Sequence, residues 1–312
     1  MQSKQFNTRL KIFEKYSENY NRIYFSQKWD YLGNVEPISF EFVVCPLCLE
    51  VFKKNNIHSS APNPLTLEDI PPASLGGKKL ILTCKKCNNK NGSIIDRELK
   101  DFVDMSLAPK GGISLKTKVS VDGENSFKAS FEYVPEEKKI KITTGGKNPY
   151  ANQQLDKIQK NWDGLETTFS FKSPKNNTVY LAFLRFAYLY SFYYFGHVYI
   201  FSDGGKYILD KINSEHIEGI DDLKIALISE EGIFSKDGMF RILVNKKYEA
   251  ILVVFKMGKK KQKYYGVILP GPTKHDIVNY EEILKIEKPT FQFIEWPQRD
   301  IVNYPIEFYE SW

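Results

Sequence analysis

Four cysteines are the residues whose types and spacing point most directly to chemistry. They form two Cys-x-x-Cys pairs, Cys45 with Cys48 and Cys84 with Cys87, and the chain has no other cysteine. Four thiolates from two such pairs make a closed tetrahedral zinc site, in which no coordination position is left for a reacting water. We therefore expect a zinc ion that stabilises the fold and takes no part in catalysis.

The segment between the two cysteine pairs carries acidic residues and a tightly shaped turn. It spans 35 residues, more than the usual gap of a zinc ribbon. Within it, Glu68 and Asp69 precede a Pro-Pro pair and then the pair Gly76–Gly77. Carboxylate oxygens suit a hard divalent cation, so a functional site is expected between the cysteine pairs.

Two strings of this region together resemble the HNH endonuclease family. Residues 67–77 read Leu-Glu-Asp-Ile-Pro-Pro-Ala-Ser-Leu-Gly-Gly, and residues 82–92 read Leu-Thr-Cys-Lys-Lys-Cys-Asn-Asn-Lys-Asn-Gly. Family members with zinc knuckles resemble Cys-x-x-Cys, acid-His-Ile/Val-Pro, Gly-Gly and Cys-x-x-Cys-Asn. The match covers about 50 of the 312 residues. It implies an α+β chain, in which a zinc-bound treble-clef or ββα-metal module precedes a β-rich α+β domain.

The resemblance also implies which side chains hold a catalytic cation, usually Mg²⁺. Glu68 matches the metal-binding acid, and Asn88 matches the polar ligand on the following helix. Asp96 lies about 80° round the helix axis from Asn88 and two turns away. It is either a third ligand or a surface carboxylate paired with Arg97 or Lys100. In such enzymes the cation binds the scissile phosphate while a histidine activates water.

Two positions depart from the family pattern. Asp69 stands where the family has its general-base histidine, and Lys79 matches the middle asparagine. Asp69 could act as a weaker base or as a second ligand, and His58, in the preceding loop, could supply an imidazole. The alternative is that cleavage has been lost and only binding remains.

Basic residues cluster around the start of the helix predicted after the second cysteine pair. They could contact nucleic-acid phosphates, or form a solvated face. The formal charge of +6 is a mild excess that is compatible with a polyanionic partner. The cluster comprises Lys78, Lys79, Lys85, Lys86 and Lys90.

Hydrophobic periodicity and turn residues predict the remaining elements. We expect an N-terminal helical segment over residues 1–37, the zinc module over 38–110 and an α+β domain over 111–312. The predicted helices are 6–25, 85–105 (packing through Ile94, Ile95, Leu99 and Phe102), 151–162 and 176–195. The predicted strands are 38–44, 80–83, a hairpin within 112–145 that turns at Asp122–Gly123, 166–172, 197–201, 240–244, 249–256 and 264–269. Residues 53–66 are predicted as a loop, 259–263 as a hairpin turn and 291–312 as a packed tail.

The apolar stretch Val179–Phe201 contains Arg185, which would be costly within a bilayer, so a buried helix and strand are expected there. The stretch is similar to a segment found downstream in bacterial HNH proteins. Arg185 requires a partner, either a buried carboxylate or an anionic ligand. The N-terminal sequence lacks a signal-peptide core, so we expect a cytoplasmic protein, where paired cysteines usually bind metal.

Three functions are therefore open. The first is a metal-dependent endonuclease acting on DNA, with RNA also possible, in restriction or phage defence. The second is a catalytically inactive, zinc-stapled nucleic-acid-binding protein. The third is a sensor or interaction protein with an HNH effector, whose C-terminal half binds a protein partner or a second copy of the chain.

Overall fold

The computed structural model describes residues 2–26, 41–214, 223–229 and 232–295, which fold as a mixture of helices and strands. The helices are α1 (Gln2–Ser26), α2 (Lys85–Leu107), α3 (Pro149–Lys160), α4 (Asn176–Phe195), α5 (His197–Phe201), α6 (Asp203–Ser214) and α7 (Lys274–Ile283). The first eight strands are β1 (Phe42–Val44), β2 (Val51–Lys53), β3 (Leu65–Ile70), β4 (Lys78–Cys84), β5 (Ser114–Val121), β6 (Phe127–Val134), β7 (Lys139–Thr143) and β8 (Thr167–Phe171). The last five are β9 (Leu227–Ile228), β10 (Gly238–Val244), β11 (Tyr248–Met257), β12 (Lys263–Leu269) and β13 (Phe291–Glu295).

Two short antiparallel hairpins and one helix surround the cysteines. Strand β1 pairs with β2, and β3 pairs with β4, which leads directly into α2. The predicted loop 53–66 is largely irregular, but it includes a 3-10 turn at Lys54–Ile57, and β3 already begins at Leu65. Residues 38–40 of the predicted strand 38–44 lie outside the described residues.

Helix α2 buries a stripe of apolar side chains spaced four residues apart. Ile95, Leu99, Val103 and Leu107 are almost fully buried, and this spacing lies on one helical face. The prediction for Ile94 was wrong, because its side chain is 41% exposed. Ile94 lies about 100° round the helix axis from its neighbour Ile95, and this rotation places its side chain outside the packed face.

Helix α4 lies at the centre of the main hydrophobic core. Nearly every residue from Val179 to Phe195 is buried, and a helix that is apolar all round must be covered on all sides. Helices α2 and α6 and strands β11 and β12 pack against it. The core takes residues from α1, the zinc module and residues 179–283. The division predicted at residues 110 and 111 stays a prediction, although this core extends across it.

The strand predicted at 197–201 was wrong, since these residues form the short helix α5. Gly196, with φ of 65°, ends α4. The backbone N–H of His197 then donates to Asn19 Oδ1 of α1 at 2.9 Å. This tertiary contact, together with burial of the apolar side chains, decides the local conformation over the strand preference of Val198, Tyr199 and Ile200.

Strands β13-β10-β11-β12-β9 form a five-stranded antiparallel sheet in that order. Residues Ala250–Phe255 of β11 are all buried, so both faces of the sheet are covered there. The turn predicted at 259–263 joins β11 to β12. Of the predicted C-terminal tail, residues 291–295 form β13, and 296–312 lie outside the described residues.

Residues 114–171 form a second layer with a small core of its own. Its antiparallel strands follow the order β7-β6-β5-β8, and α3 packs beneath them. The predicted Asp122–Gly123 turn is present, with φ of 50° and 71° at these two residues. Val119, Val121 and Phe127 point to the α3 side, and alternate residues face away.

Within the part of the chain that the structure describes, no helix combines the length and apolar character needed to cross a bilayer.

Candidate functional site

The four cysteines converge on one point, as their spacing predicts. The Sγ atoms of the four residues all lie within 4.8 Å of one another: Cys45, Cys48, Cys84 and Cys87. The sulfurs of Cys48 and Cys84 are 3.9 Å apart. A tetrahedral zinc ion with Zn–S bonds of about 2.3 Å requires sulfurs about 3.8 Å apart. The four sulfurs therefore fit a metal ion such as zinc.

The backbone around both cysteine pairs is shaped for this convergence. Leu49 adopts φ of 58° and donates its N–H to Cys45 O at 2.9 Å, which folds the first pair into a tight turn. In the second pair, Cys84 caps α2 and its sulfur accepts from Cys87 N at 3.4 Å. Cys84 N in turn donates to the Cys45 sulfur at 3.4 Å. Such N–H···S bonds orient sulfur ligands and stabilise their negative charge.

Hydrogen bonds among the cysteine side chains also favour the ionised forms of Cys84 and Cys48. Hydrogen bonding from Cys45 lowers the pKa of Cys84 to about 4, and it lowers the pKa of Cys48 as well. The same bonds, together with burial, raise the pKa of Cys45. Close-packed thiolates repel one another unless a cation lies among them, so the cluster is suited to bind one.

The acidic turn lies at the end of β3, where the strand is irregular. The register with β4 shifts between Glu68 and Asp69, as in a β-bulge, a feature that re-aims side chains and is common beside active sites. The Gly-Gly pair is required by close packing, because a Cβ at Gly77 would lie 1.5 Å from the carbonyl oxygen of Pro71. Gly76 adopts φ of 93°. The turn therefore has the tight shape that its sequence predicts.

Glu68 is buried, and Arg185 of α4 neutralises it. Arg185 Nη2 donates to Glu68 Oε1 at 3.0 Å, and Thr83 Oγ1 donates to Glu68 Oε2 at 3.0 Å. Only 7% of the Glu68 side chain and 5% of the Arg185 side chain are exposed. Burial raises the pKa of Glu68, while Arg185 and Thr83 oppose that rise. Of the two partners considered for Arg185, the structure has the buried carboxylate.

Asp96 of α2 lies within electrostatic range of Arg185, Glu68 and Asp69. Burial raises the pKa of Asp96 to about 6; the Arg185 charge opposes that rise, and the carboxylates of Glu68 and Asp69 reinforce it. Burial also raises the pKa of Asp69, against the opposing charge of Lys79, its cross-strand partner. Asp96 therefore lies near the acidic turn, and the alternative partners take other acids: Arg97 pairs with Glu98, and Lys100 with Asp104.

Asn88 bonds to the strand that carries the acids. Its amide nitrogen donates to Thr66 Oγ1 at 2.9 Å and to Leu67 O at 3.4 Å. These bonds join the start of α2 to β3. They engage the amide nitrogen and leave the amide oxygen as the atom that could bind a cation.

His58 is exposed, and its ring packs against Phe6 of α1 with the ring centroids 5.0 Å apart. Its backbone N–H bonds to Asn55 O within the same loop. These contacts are with α1 and its own loop, so a catalytic imidazole at this position stays a prediction.

The predicted phosphate-binding lysines surround the N-terminus of α2 and the adjoining strand. All five side chains are exposed: Lys78, Lys79, Lys85, Lys86 and Lys90. The lysine charges affect two of the acids near them. Burial raises the pKa of Asp69 and of Asp237, and this rise is opposed by Lys79 at Asp69 and by Lys256 and Lys78 at Asp237. A helix N-terminus adds partial positive charge at the same place.

His197 has a structural role. Its Nε2 accepts from Val44 N at 3.4 Å, and its Nδ1 lies 2.9 Å from Asn19 Oδ1. Burial lowers the pKa of His197 to about 3, so the ring is neutral. Thr83 is the partner of the acidic turn that the sequence did not single out, because a threonine in a short strand carries no distinctive signal.

In comparisons with known proteins, no family model, curated protein or solved structure matches this chain.

Replacement of Cys84 by serine should remove a ligand and release the metal. Structural zinc in such units supplies much of the folding free energy. We expect the variant to lose stoichiometric metal in atomic absorption and to melt well below the wild type. Lys85→Ser, which changes the adjacent exposed residue, is the matched control. A melting temperature that neither Cys84→Ser nor a chelator lowers would contradict a metal at this site.

Replacement of Arg185 by methionine should destabilise the fold strongly, by about 3–5 kcal/mol, because it leaves the Glu68 carboxylate buried without a counter-charge. Urea denaturation of Arg185→Met, Glu68→Gln and the double variant measures the coupling. The double variant should be more stable than Arg185→Met. Additive losses in the double variant would show that the two side chains do not interact.

Asp96→Asn should stabilise the protein at pH 8 but not at pH 5. The folded-state pKa of Asp96, about 6, exceeds the unfolded value of about 4. Asp96 therefore holds its proton more tightly in the folded state. Its protonation contributes favourably to the free energy of folding at low pH, and this contribution is lost as the pH rises through about 6. Allowing for solvent screening, we expect a gain of about 1–2 kcal/mol at pH 8 in urea denaturation. Asp101→Asn, on the same helix, is the control and should show no such pH dependence; an equal effect of Asp96→Asn at both pH values would contradict the shifted pKa.

Proposed function

We propose that the chain is a metal-dependent endonuclease of the HNH type that hydrolyses phosphodiester bonds in DNA. One observation carries this proposal: where the hairpin β3–β4 meets α2, Asp96 lies close enough to Arg185, Glu68 and Asp69 for their charges to affect its pKa. A hairpin followed by a helix with acids between them is the arrangement that the HNH resemblance implies. Acids with raised pKa values near a basic surface are typical of functional sites.

Asp96 is the side chain that would hold a divalent cation such as Mg²⁺. Its donor chemistry fits, because Mg²⁺ binds through one or two carboxylates and keeps other positions for water and phosphate oxygens. When bound, the ion would polarise the scissile phosphate and stabilise the leaving oxygen. Glu68 takes a different role from the one predicted, since Arg185 and Thr83 already engage both of its oxygens. It is a positioning residue that sets the turn against α4.

The proton acceptor in this proposal is Asp69, which occupies the histidine position of the resemblance. Its burial raises its pKa, which brings a carboxylate closer to the range in which a general base works. It is half-buried and remains accessible to water. The lysines around the N-terminus of α2 would contact the phosphates on either side of the scissile bond.

A second candidate is a catalytically inactive nucleic-acid-binding protein, and two contacts favour it. Both oxygens of Glu68 and the amide nitrogen of Asn88 are used within the fold. The two positions that match the family's metal ligands are therefore engaged internally. A role in restriction or phage defence is a proposal that rests on the family resemblance alone.

Supercoiled plasmid incubated with the protein and Mg²⁺, Mn²⁺ or Ni²⁺ tests the proposal. Wild type should nick the plasmid, and a chelator should stop the reaction. Asp69→Asn and Asp96→Asn should each lower the rate at least about 100-fold, since each removes a charge from the reacting centre. Gel electrophoresis of time points gives the rates.

Asp101→Asn is the matched control, because it removes a carboxylate from the same helix and should leave the rate unchanged. Asp96→Asn is expected to be at least as stable as wild type at neutral pH, so a lost rate there would not reflect unfolding. Salt-dependent plasmid binding without cleavage by wild type would favour the inactive binding protein. Absence of both cleavage and binding would leave the sensor or interaction role.

A further inference from the structure

We propose that the outward face of the sheet β7-β6-β5-β8 binds the phosphate backbone of a nucleic-acid duplex. This lysine face consists of Lys116, Lys118 and Lys128 with the hydroxyl residues Ser130, Thr143 and Ser170. It lies outside the site described above and deepens the proposed function by naming a substrate-binding surface, so it rests in part on that function.

Strand register brings these residues together in two rows. Lys118 of β5 lies opposite Lys128 of β6 on one side and Ser170 of β8 on the other. In the next row, Ser130 lies between Lys116 and Thr143. Residues directly opposite in neighbouring strands point to the same side of a sheet. All three lysines are exposed.

The positive charge of this face is unbalanced. Two like charges opposite one another destabilise a sheet, and Lys118 with Lys128 is such a pair. Among the described side chains, no carboxylate forms an ion pair with Lys116, Lys118 or Lys128. Two other lysines of the same layer form ion pairs: Lys139 with Glu137 at 3.0 Å and Lys157 with Glu124 at 3.1 Å. An anion lying across the two rows would relieve this repulsion.

The face is concave and continues toward the acidic site. A shallow groove of about 900 Å³ runs over the two rows and has the three lysines in its wall. It shares Lys116, Phe171 and Lys172 with a second groove of about 430 Å³, which Arg97, Lys100, Asp101 and Asp104 of α2 also line. Arg97 is the neighbour of Asp96 in the chain. A duplex on the lysine face would therefore extend toward the helix that carries Asp96, the proposed cation ligand.

The side chains favour a duplex backbone over single strands. Lysine ammonium groups and serine or threonine hydroxyls are phosphate-binding groups. Single-strand binding relies on aromatic side chains that stack with bases. The aromatic residues Phe127, Phe131 and Phe169 of this sheet alternate with the lysines and face the α3 side. The groove over the outward face is thus lined mainly by lysines and hydroxyl residues, with Phe171 as its single aromatic residue.

Binding of a fluorescent 30-base-pair duplex, followed by anisotropy over a range of salt concentrations, tests this proposal. Without added divalent cation no cleavage should occur, so the full-length protein can be titrated. The triple variant Lys116→Gln, Lys118→Gln, Lys128→Gln should bind at least about tenfold more weakly at 100 mM salt. The slope of log Kd against log salt should fall by about 2.7, since each lost phosphate contact contributes about 0.9.

The matched control is the triple variant Lys206→Gln, Lys274→Gln, Lys288→Gln, which removes three exposed lysines elsewhere and lowers the formal charge from +6 to the same +3. It should bind like wild type. A second variant, Lys118→Glu, places a negative charge directly opposite the positive charge of Lys128. It should melt at or above the wild-type temperature and still lose duplex affinity.

Equal affinity and salt slope for the lysine-face variant and the control would overturn the proposal. Lysine-dependent binding to phosphatidylserine vesicles with unchanged duplex binding would also overturn it, by assigning the face to a membrane surface. Failure of the proposed function is separable from both, because wild type would then bind the duplex through the lysine face and cut no plasmid with any cation.

Discussion

The buried ion pair between Glu68 and Arg185 is the interaction on which the arrangement of the site depends. It joins the hairpin β3–β4 to the central helix α4, and Thr83 holds the other carboxylate oxygen. Removing two charges from water is costly, and such pairs contribute little to stability compared with apolar side chains of similar volume. What the pair provides is a defined orientation, because the two charges neutralise each other only when the strand and helix meet at this point.

The pair also explains why the acids around it have different roles. Glu68 faces inward and is neutralised, so its charge is used within the fold. Asp69 follows it across a β-bulge and remains half-exposed, while Asp96 approaches from α2. Burial raises the pKa of Asp96 to about 6; the Arg185 charge opposes that rise, and the carboxylates of Glu68 and Asp69 reinforce it. An acid in that range can exchange a proton near neutral pH, or bind a cation instead.

The cysteine cluster and the lysine face both adjoin α2. The four sulfurs lie within 4.8 Å of one another, and Cys84 N donates to the Cys45 sulfur, so the beginning of α2 lies against the first cysteine pair. The four-stranded sheet has its own small core, and its lysines line the groove that leads to the same helix. In the proposed function, the basic surface would supply affinity for a polyanionic substrate and the acidic residues would supply the chemistry.

The sequence by itself determined the local features that depend on a few neighbouring residues. Two Cys-x-x-Cys pairs were enough to predict the sulfur cluster, and the Pro-Pro and Gly-Gly pairs predicted the tight turn. Period and turn residues predicted most helices and strands, including the Asp122–Gly123 hairpin. Tertiary structure alone decided which partner Arg185 takes. Glu68 lies 117 residues away in the chain, and nothing in the sequence around either residue indicates the other. It likewise decided that residues 197–201 are helical, through the bond from His197 to Asn19. The lysine face also required the register between strands, since only the pairing of β5 with β6 places Lys128 opposite Lys118.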